Sequence, residues 1–190
     1  MQRDEVFHRF VFRIEEVTLR HERFDGAMSG EIKRLILHRG DSVALLLANR
    51  RRDEVLLCEQ FRLPTYREDG TGWIIELPAG ILEANEAPEE CARREAVEET
   101  GYDVRNMQSI ALVYLSPGGS SERIHIFYAE ISEGDRTTEG GGLASENEDI
   151  RMIWMSVEEA WRQCQNGGIR DAKTLIALQW LMLRGKLEDQ

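Results

Sequence analysis

Seven glutamates and two arginines crowd the stretch from Glu83 to Glu99, a local charge of −5. Three of them, Glu95, Glu98 and Glu99, stand at i, i+3 and i+4. On a helix that spacing puts three carboxylates on one face, which repels itself unless a cation sits there. Two readings are open for such a run. One is a solvated acidic face bridged to Arg93 and Arg94, pairs that contribute little at a surface. The other is a cation site. Hard divalent ions take oxygen ligands, and Mg²⁺ binds few carboxylates and fills its shell with waters and substrate phosphates. The chemistry in that case is metal-assisted reaction of a phosphate compound. Arg94 is placed to reach Glu98 one turn on and orient it.

These residues need a helix and a sheet to hold them. Pro88 falls where a first turn should be, and Glu86, Glu89 and Glu90 sit near the positive end of the dipole. The pattern predicts a helix to about Thr100, stopped by Gly101. Its apolar residues, Cys91, Ala92, Ala96 and Val97, are mostly small and suit close packing on a sheet. Strands are expected around Val6–Ile14, Val17–Leu19 and Ile32–Leu37, with a turn at Arg23–Gly26. Val43–Ala48 and Glu54–Phe61 read as a buried hairpin, followed by a charged loop over 67–72 and a short strand Trp73–Leu77. Further strands are expected at Ile110–Leu115, Ile124–Ala129 and Ile150–Met155. Glu139–Asp149 reads as a flexible acidic loop. Ser156 with Glu159 makes a capping box for a helix ending at Gly167, and Asp171 caps a last helix through Leu183.

The chain has 190 residues, enough for one sizeable domain with a small appendage. A net charge of −11 argues against general nucleic-acid or anionic-membrane binding, since both need a basic face. Cys58, Cys91 and Cys164 are odd in number and form no close pair, which gives neither a disulfide framework nor a zinc site, and they read as free thiols in a reducing cytosol. The N-terminus lacks the basic-then-apolar pattern of a signal peptide. No apolar run approaches the ~18 residues of a membrane span. A cytoplasmic location is expected. His8, His21, His38 and His125 show no ligand spacing.

The segment Gly80–Tyr102 fits Gly-x5-Glu-x7-Arg-Glu-U-x-Glu-Glu-x-Gly-U, where U is bulky and aliphatic. Gly80, Glu86, Arg94, Glu95, Glu98, Glu99 and Gly101 match, while Ala96 and Tyr102 depart mildly at the U positions. This resembles the Nudix box, and the chain looks like a Nudix hydrolase. The resemblance covers nearly the whole chain. Arg20–Ser29, Glu59–Arg62, Ser116–Gly119 with Glu122, Gly142–Ile150 and Ile176–Leu181 are similar to segments of the ADP-ribose pyrophosphatases. GDP-mannose hydrolases of the same subfamily share the Ser-Pro-Gly-Gly loop and a triple glycine like Gly140–Gly142.

The resemblance implies roles for single residues. Glu95 and Glu99 would hold Mg²⁺, with Mn²⁺ as the alternative ion. Glu98 would ligate or support a metal, oriented by Arg94, and the carbonyl of Ala79 would be a further ligand. Glu146, on a mobile loop, would act as general base on the attacking water, and Glu148 would be an additional ligand. For these last two the other reading is an ordinary acidic linker. Arg62 lies after a strand and can pair bidentately with a phosphate, unless it is a plain surface arginine. Phe24 resembles an aromatic that stacks on the nucleobase, with core packing as its alternative. Glu122 resembles a residue that contacts substrate across a dimer, and Arg34 is a further candidate contact to phosphate or ribose.

The expected fold is α/β, a Nudix α/β/α sandwich with a mixed sheet over residues 41–190. A small N-terminal antiparallel β-subdomain over residues 1–40 would be exchanged in a homodimer. The expected activity is Mg²⁺-dependent pyrophosphohydrolysis of a nucleoside diphosphate sugar. ADP-ribose, giving AMP and ribose 5-phosphate, comes first, and GDP-mannose, giving GMP and mannose 1-phosphate, second. A non-catalytic nucleotide-sugar sensor is a rival of another class, although such proteins usually lack box glutamates. Sanitation of mutagenic triphosphates fits the box but not the N-terminal extension.

Overall fold

A computed structural model describes the backbone at residues 2–9 and 12–188. The chain divides into two compact units, one formed by residues 1–41 with 114–123, the other by 42–113 with 124–190.

The first unit is a three-stranded antiparallel sheet in the order β1 (Gln2–Arg9), β2 (Phe12–Leu19), β3 (Ile32–His38). Arg23 and Gly26 close the turn anticipated between β2 and β3, with the Gly26 N–H donating to the Arg23 carbonyl at 2.9 Å. The Ser116–Glu122 loop belongs to this unit. It runs along the free edge of β3, where Leu37 N–H donates to the Gly119 carbonyl and Ser121 N–H to the Leu37 carbonyl.

The second unit holds a mixed sheet in the order β10-β5-β4-β9-β8, with two short strands added. These are β4 (Ser42–Asn49), β5 (Glu54–Phe61), β8 (Gln108–Tyr114), β9 (Arg123–Glu130) and β10 (Arg151–Ser156), with β6 (Trp73–Glu76) on β5 and β7 (Ala79–Ile81) on β4. β4 and β9 run parallel, and the pairs β4–β5, β5–β10, β5–β6 and β4–β7 are antiparallel. Period-two alternation sorts the apolar run of β4 to both faces, as a fully buried strand requires. Ala44, Leu46 and Ala48 join a core roofed by α3 (Val157–Asn166) and α4 (Ala172–Glu188). Val43, Leu45 and Leu47 join the opposite core, which Cys91, Ala92 and Ala96 of α2 close. The architecture is an α/β/α sandwich with a mixed sheet.

α2 spans Pro88–Glu95 and passes into a π-helical last turn, Ala96–Thr100. Gly101 stops it at φ 80°, a left-handed conformation that glycine adopts without a Cβ penalty. One half of the expected capping box forms at α3, where Ser156 Oγ accepts from the Glu159 N–H at 3.2 Å, while the Glu159 carboxylate accepts from Arg162 and Gln163. α4 is capped by Asp171, whose Oδ2 accepts from the Thr174 N–H at 3.0 Å, and it runs on to Glu188, past the expected end at Leu183.

Two expectations need correction. The residues entering the predicted 67–72 loop form a helix, α1 (Leu63–Asp69). Pro64 fits its first turn, where no N–H is needed, and Gly70 ends it at φ 84°. Seven residues are too few to show a helical period, so only these end signals were readable. The Glu139–Asp149 stretch is also more ordered than a linker. It contains a 3₁₀ turn, Ala144–Glu146, and hydrogen bonds to the end of the α2 segment.

Candidate active site

Arg94 is the hub of the acidic face. Its Nε and one terminal nitrogen grip Glu86 bidentately at 2.9 and 3.1 Å. The other terminal nitrogen donates to Glu95 at 2.7 Å and to Glu98 at 3.2 Å. One guanidinium therefore ties the loop before α2 to two carboxylates on the helix, the bidentate geometry that arginine supports and lysine does not. The hydrogen bonds from Arg94 hold Glu86 at about 2, far below the usual carboxylate range. The Glu86 contact, in turn, raises Arg94 further above its ordinary value. Arg93 takes no part, since its Nε donates to the Val104 carbonyl at 2.8 Å.

Glu99 is different in kind. It is only 3% exposed, and its Oε2 accepts from the Ala79 N–H at 3.1 Å. No cationic side chain pairs with it among the described residues. Burial pushes its carboxyl well above the ordinary value, and the charges of Glu95, Glu148 and Glu76 add to the shift. Burial likewise raises Glu95, partly opposed by Arg94. Gly80 lets Glu95 come this close, because a Cβ there would overlap the Glu95 carboxylate.

The triple glycine brings in the second half of the site. Gly141 N–H donates to the Glu99 carbonyl at 2.8 Å and Gly142 N–H to the Glu98 carbonyl at 3.1 Å. These are orphan carbonyls at a helix end, which need partners. The following loop is thereby fastened to the turn that carries the box carboxylates. Glu148 accepts from the Leu143 N–H at 3.0 Å, and its charge acts on both Glu95 and Glu99. The backbone of Glu146 lies in the 3₁₀ turn of this loop, before Asn147 at φ 56°, and its side chain lies outside what the structure describes.

Ala79, Arg94, Glu95, Glu98, Glu99 and Glu148 thus come together in the second unit. Arg62 belongs to the same unit, where its Nε donates at 2.7 Å to Glu76, a buried carboxylate whose charge also reaches Glu99. Phe24, Arg34 and Glu122 lie in the first unit. Phe24 is fully exposed on its turn, not packed in a core. Arg34 donates to the carbonyl of its neighbour Lys33 at 2.8 Å. Glu122 is buried, with Arg39 at 3.5 Å.

Sequence reasoning missed Lys173. It sits in the first turn of α4, 7% exposed, with Nζ 2.5 Å from Glu76 and 3.0 Å from Asp171. A lysine in a first turn opposes the helix dipole. That misfit was the available signal for a dedicated partner.

A divalent ion can be tested against this donor set. Among the described residues no three acidic side chains already converge on one ion position. Arg94 holds Glu95 and Glu98, and the Ala79 N–H holds one oxygen of Glu99. The chemistry nonetheless fits, because the donors are all oxygens, which hard divalent ions prefer, and a cation would offset the cost of keeping Glu99 ionised among neighbouring carboxylates.

Comparison with known proteins bears on the family and the fold. The chain is 42% identical over 181 residues to a protein of Escherichia coli named ADP-ribose pyrophosphatase, covering 94% of this chain and 85% of that one. It is 40% identical over 187 residues to a protein of Cronobacter sakazakii named GDP-mannose pyrophosphatase, covering 98% and 96%. A crystal structure described as an ADP compounds hydrolase superposes with a TM-score of 0.73 at 18% identity, over 98% of this chain and 94% of that one, a likeness of fold. Residues 38–178 match the NUDIX domain, and with that match and those relatives the chain belongs to the Nudix family.

Proposed function

We propose that this chain is a Nudix pyrophosphohydrolase of nucleoside diphosphate sugars, and that ADP-ribose is its preferred substrate. Water adds to one phosphorus of the diphosphate and the anhydride P–O bond breaks, giving AMP and ribose 5-phosphate. The single observation that carries this reading is the buried Glu99, crowded by Glu95 and Glu148 and with no cationic side chain beside it among the described residues. The E. coli relative's name supports the choice of substrate.

Mg²⁺ would be held by Glu95, Glu99, the Ala79 carbonyl and Glu148, with Glu98 as ligand or support, and Mn²⁺ would serve in its place. The ion would neutralise phosphate charge and acidify a bound water. The chain's own residues do the rest. Arg94, fixed by Glu86, orients Glu98 and Glu95. Arg62 offers its guanidinium to a phosphate. Glu146 takes the proton of the attacking water from a loop that closes over the substrate.

In a homodimer with the N-terminal β-subdomain (residues 1–40) exchanged and the Nudix domain over 41–190, Phe24 would stack on the nucleobase, Glu122 would contact substrate across the dimer, and Arg34 would contact a phosphate or ribose. The exposure of Phe12, Phe24, Met28 and Leu35 in that unit supports an interface there. Three free thiols support a reducing, cytoplasmic setting, and among the described residues no helix is long and apolar enough to cross a membrane.

GDP-mannose is the second reading, supported by the Cronobacter relative's name. A complete set of box glutamates disfavours the non-catalytic sensor. Comparing kcat/KM for ADP-ribose, GDP-mannose and other nucleotide sugars with Mg²⁺ decides among them. Preference for ADP-ribose is expected. A higher value for GDP-mannose would favour the second reading, and no turnover of any of them would refute both.

A further inference from the structure

Beneath Arg62 lies a buried chain of charges that the proposed reaction does not use. Glu76, at the end of β6, is 3% exposed and holds two cations, one on each oxygen. Its Oε1 accepts from Arg62 Nε at 2.7 Å, and its Oε2 from Lys173 Nζ at 2.5 Å. Lys173 also donates to Asp171 at 3.0 Å. Asp171 accepts from the Thr174 hydroxyl at 2.6 Å, and that hydroxyl accepts from the Leu77 N–H at 2.9 Å. The first turn of α4 is thereby tied to Glu76 of β6 and to Leu77 just after it, the two residues preceding the Pro78–Ala79 link to β7.

Stability alone is a poor explanation for this arrangement. Buried ion pairs gain little over apolar side chains of similar volume, because desolvation offsets the attraction. Lys173 also stands against the dipole of its own helix. What the network does achieve is orientation. Arg62 keeps 42% of its side chain exposed, its Nε is committed to Glu76, and its terminal nitrogens have no partner among the described residues. Lys173 offsets the charge of Glu76, so the carboxylate can anchor the arginine without adding a full negative charge beside Glu99.

We infer that Glu76 and Lys173 are positioning residues that fix Arg62 with its two terminal nitrogens directed at an anionic phosphate of the substrate. This rests on the proposed reading of Arg62 as a phosphate contact. The anchoring replaces a freely rotating side chain by a preorganised fork, which lowers the ordering cost of binding.

The test compares ADP-ribose hydrolysis by wild type, Arg62→Ala, the charge-neutral pair Glu76→Leu/Lys173→Met, and the triple variant combining all three. Arg62→Ala is expected to raise KM about tenfold or more, the scale of a lost charge-assisted hydrogen bond. The neutral pair is expected to fold with a Tm near wild type and to raise KM by a similar factor, with kcat within about threefold. The triple variant is expected to be no worse than Arg62→Ala, because both routes remove the same contact. A merely structural network would instead give additive losses. Wild-type KM in the neutral pair, additivity in the triple variant, or failure of the neutral pair to fold would each overturn the positioning role while leaving the reaction intact. Absence of wild-type turnover with any nucleotide sugar would overturn the reaction, and this inference with it.

Discussion

Gly80 and Glu95 are packed so closely that a Cβ on the glycine would occupy the space of the Glu95 carboxylate. Strand β7 and helix α2 meet at this point, and the absence of a side chain is what lets the Glu95 carboxylate lie over the strand. Gly80→Ala must therefore push Glu95 aside. The expected result is a kcat at least about 100-fold lower, since small misplacement of a catalytic group has that effect. Steady-state kinetics in Mg²⁺ check this, and wild-type kcat would contradict it.

The Glu86–Arg94 clamp carries a pH signature. Its folded carboxyl lies at about 2, below the ordinary value of 4.5. A depressed carboxyl contributes stability that is present above the unfolded value and lost as pH falls through the folded one. The Tm of Glu86→Gln should thus lie below wild type at pH 7. The gap should shrink as pH drops from about 4.5 toward about 2. A gap that does not change with pH would assign the effect to packing.

Glu99 has the opposite sign. Its carboxyl is raised by burial, so the stability linked to it is present below the unfolded carboxylate range and declines as pH rises toward the folded value. In chelator, Glu99→Gln should be at least as stable as wild type at pH 8. Added Mg²⁺ should raise the wild-type Tm by mass action and leave the variant almost unmoved. Equal Mg²⁺ shifts in both proteins would remove Glu99 from the metal site.

The role proposed for Glu146 separates chemistry from binding. Glu146→Gln should lower kcat by about 10²- to 10⁴-fold, the usual contribution of a positioned base, and leave KM within about twofold. Near-full rate at saturating Mg²⁺ would reject it as the base.

The acidic helix was readable because its spacing, the Pro88 start and the Gly101 stop all point to one element. The caps at Ser156 and Asp171 were readable for the same local reason. Helix α1 was not, because its seven residues show no period and its charges resemble a loop. Strand β7 is three residues long behind a proline, too short for a pattern to form. The Glu76–Lys173 pair joins residues 97 positions apart. No local rule connects them, and only the dipole misfit of Lys173 hinted at a distant partner. The glycine tract read as a flexible linker because composition does not show which carbonyls its N–H groups will satisfy.

The central claim is that the clustered box carboxylates drive hydrolysis of a nucleotide sugar. The most direct measurement is the turnover of ADP-ribose to AMP and ribose 5-phosphate in Mg²⁺ by wild type and by Glu95→Gln, with the fold of each checked by Tm. Rapid turnover by wild type and a loss of at least about 100-fold in a folded Glu95→Gln are expected. Unchanged turnover in Glu95→Gln would contradict the claim.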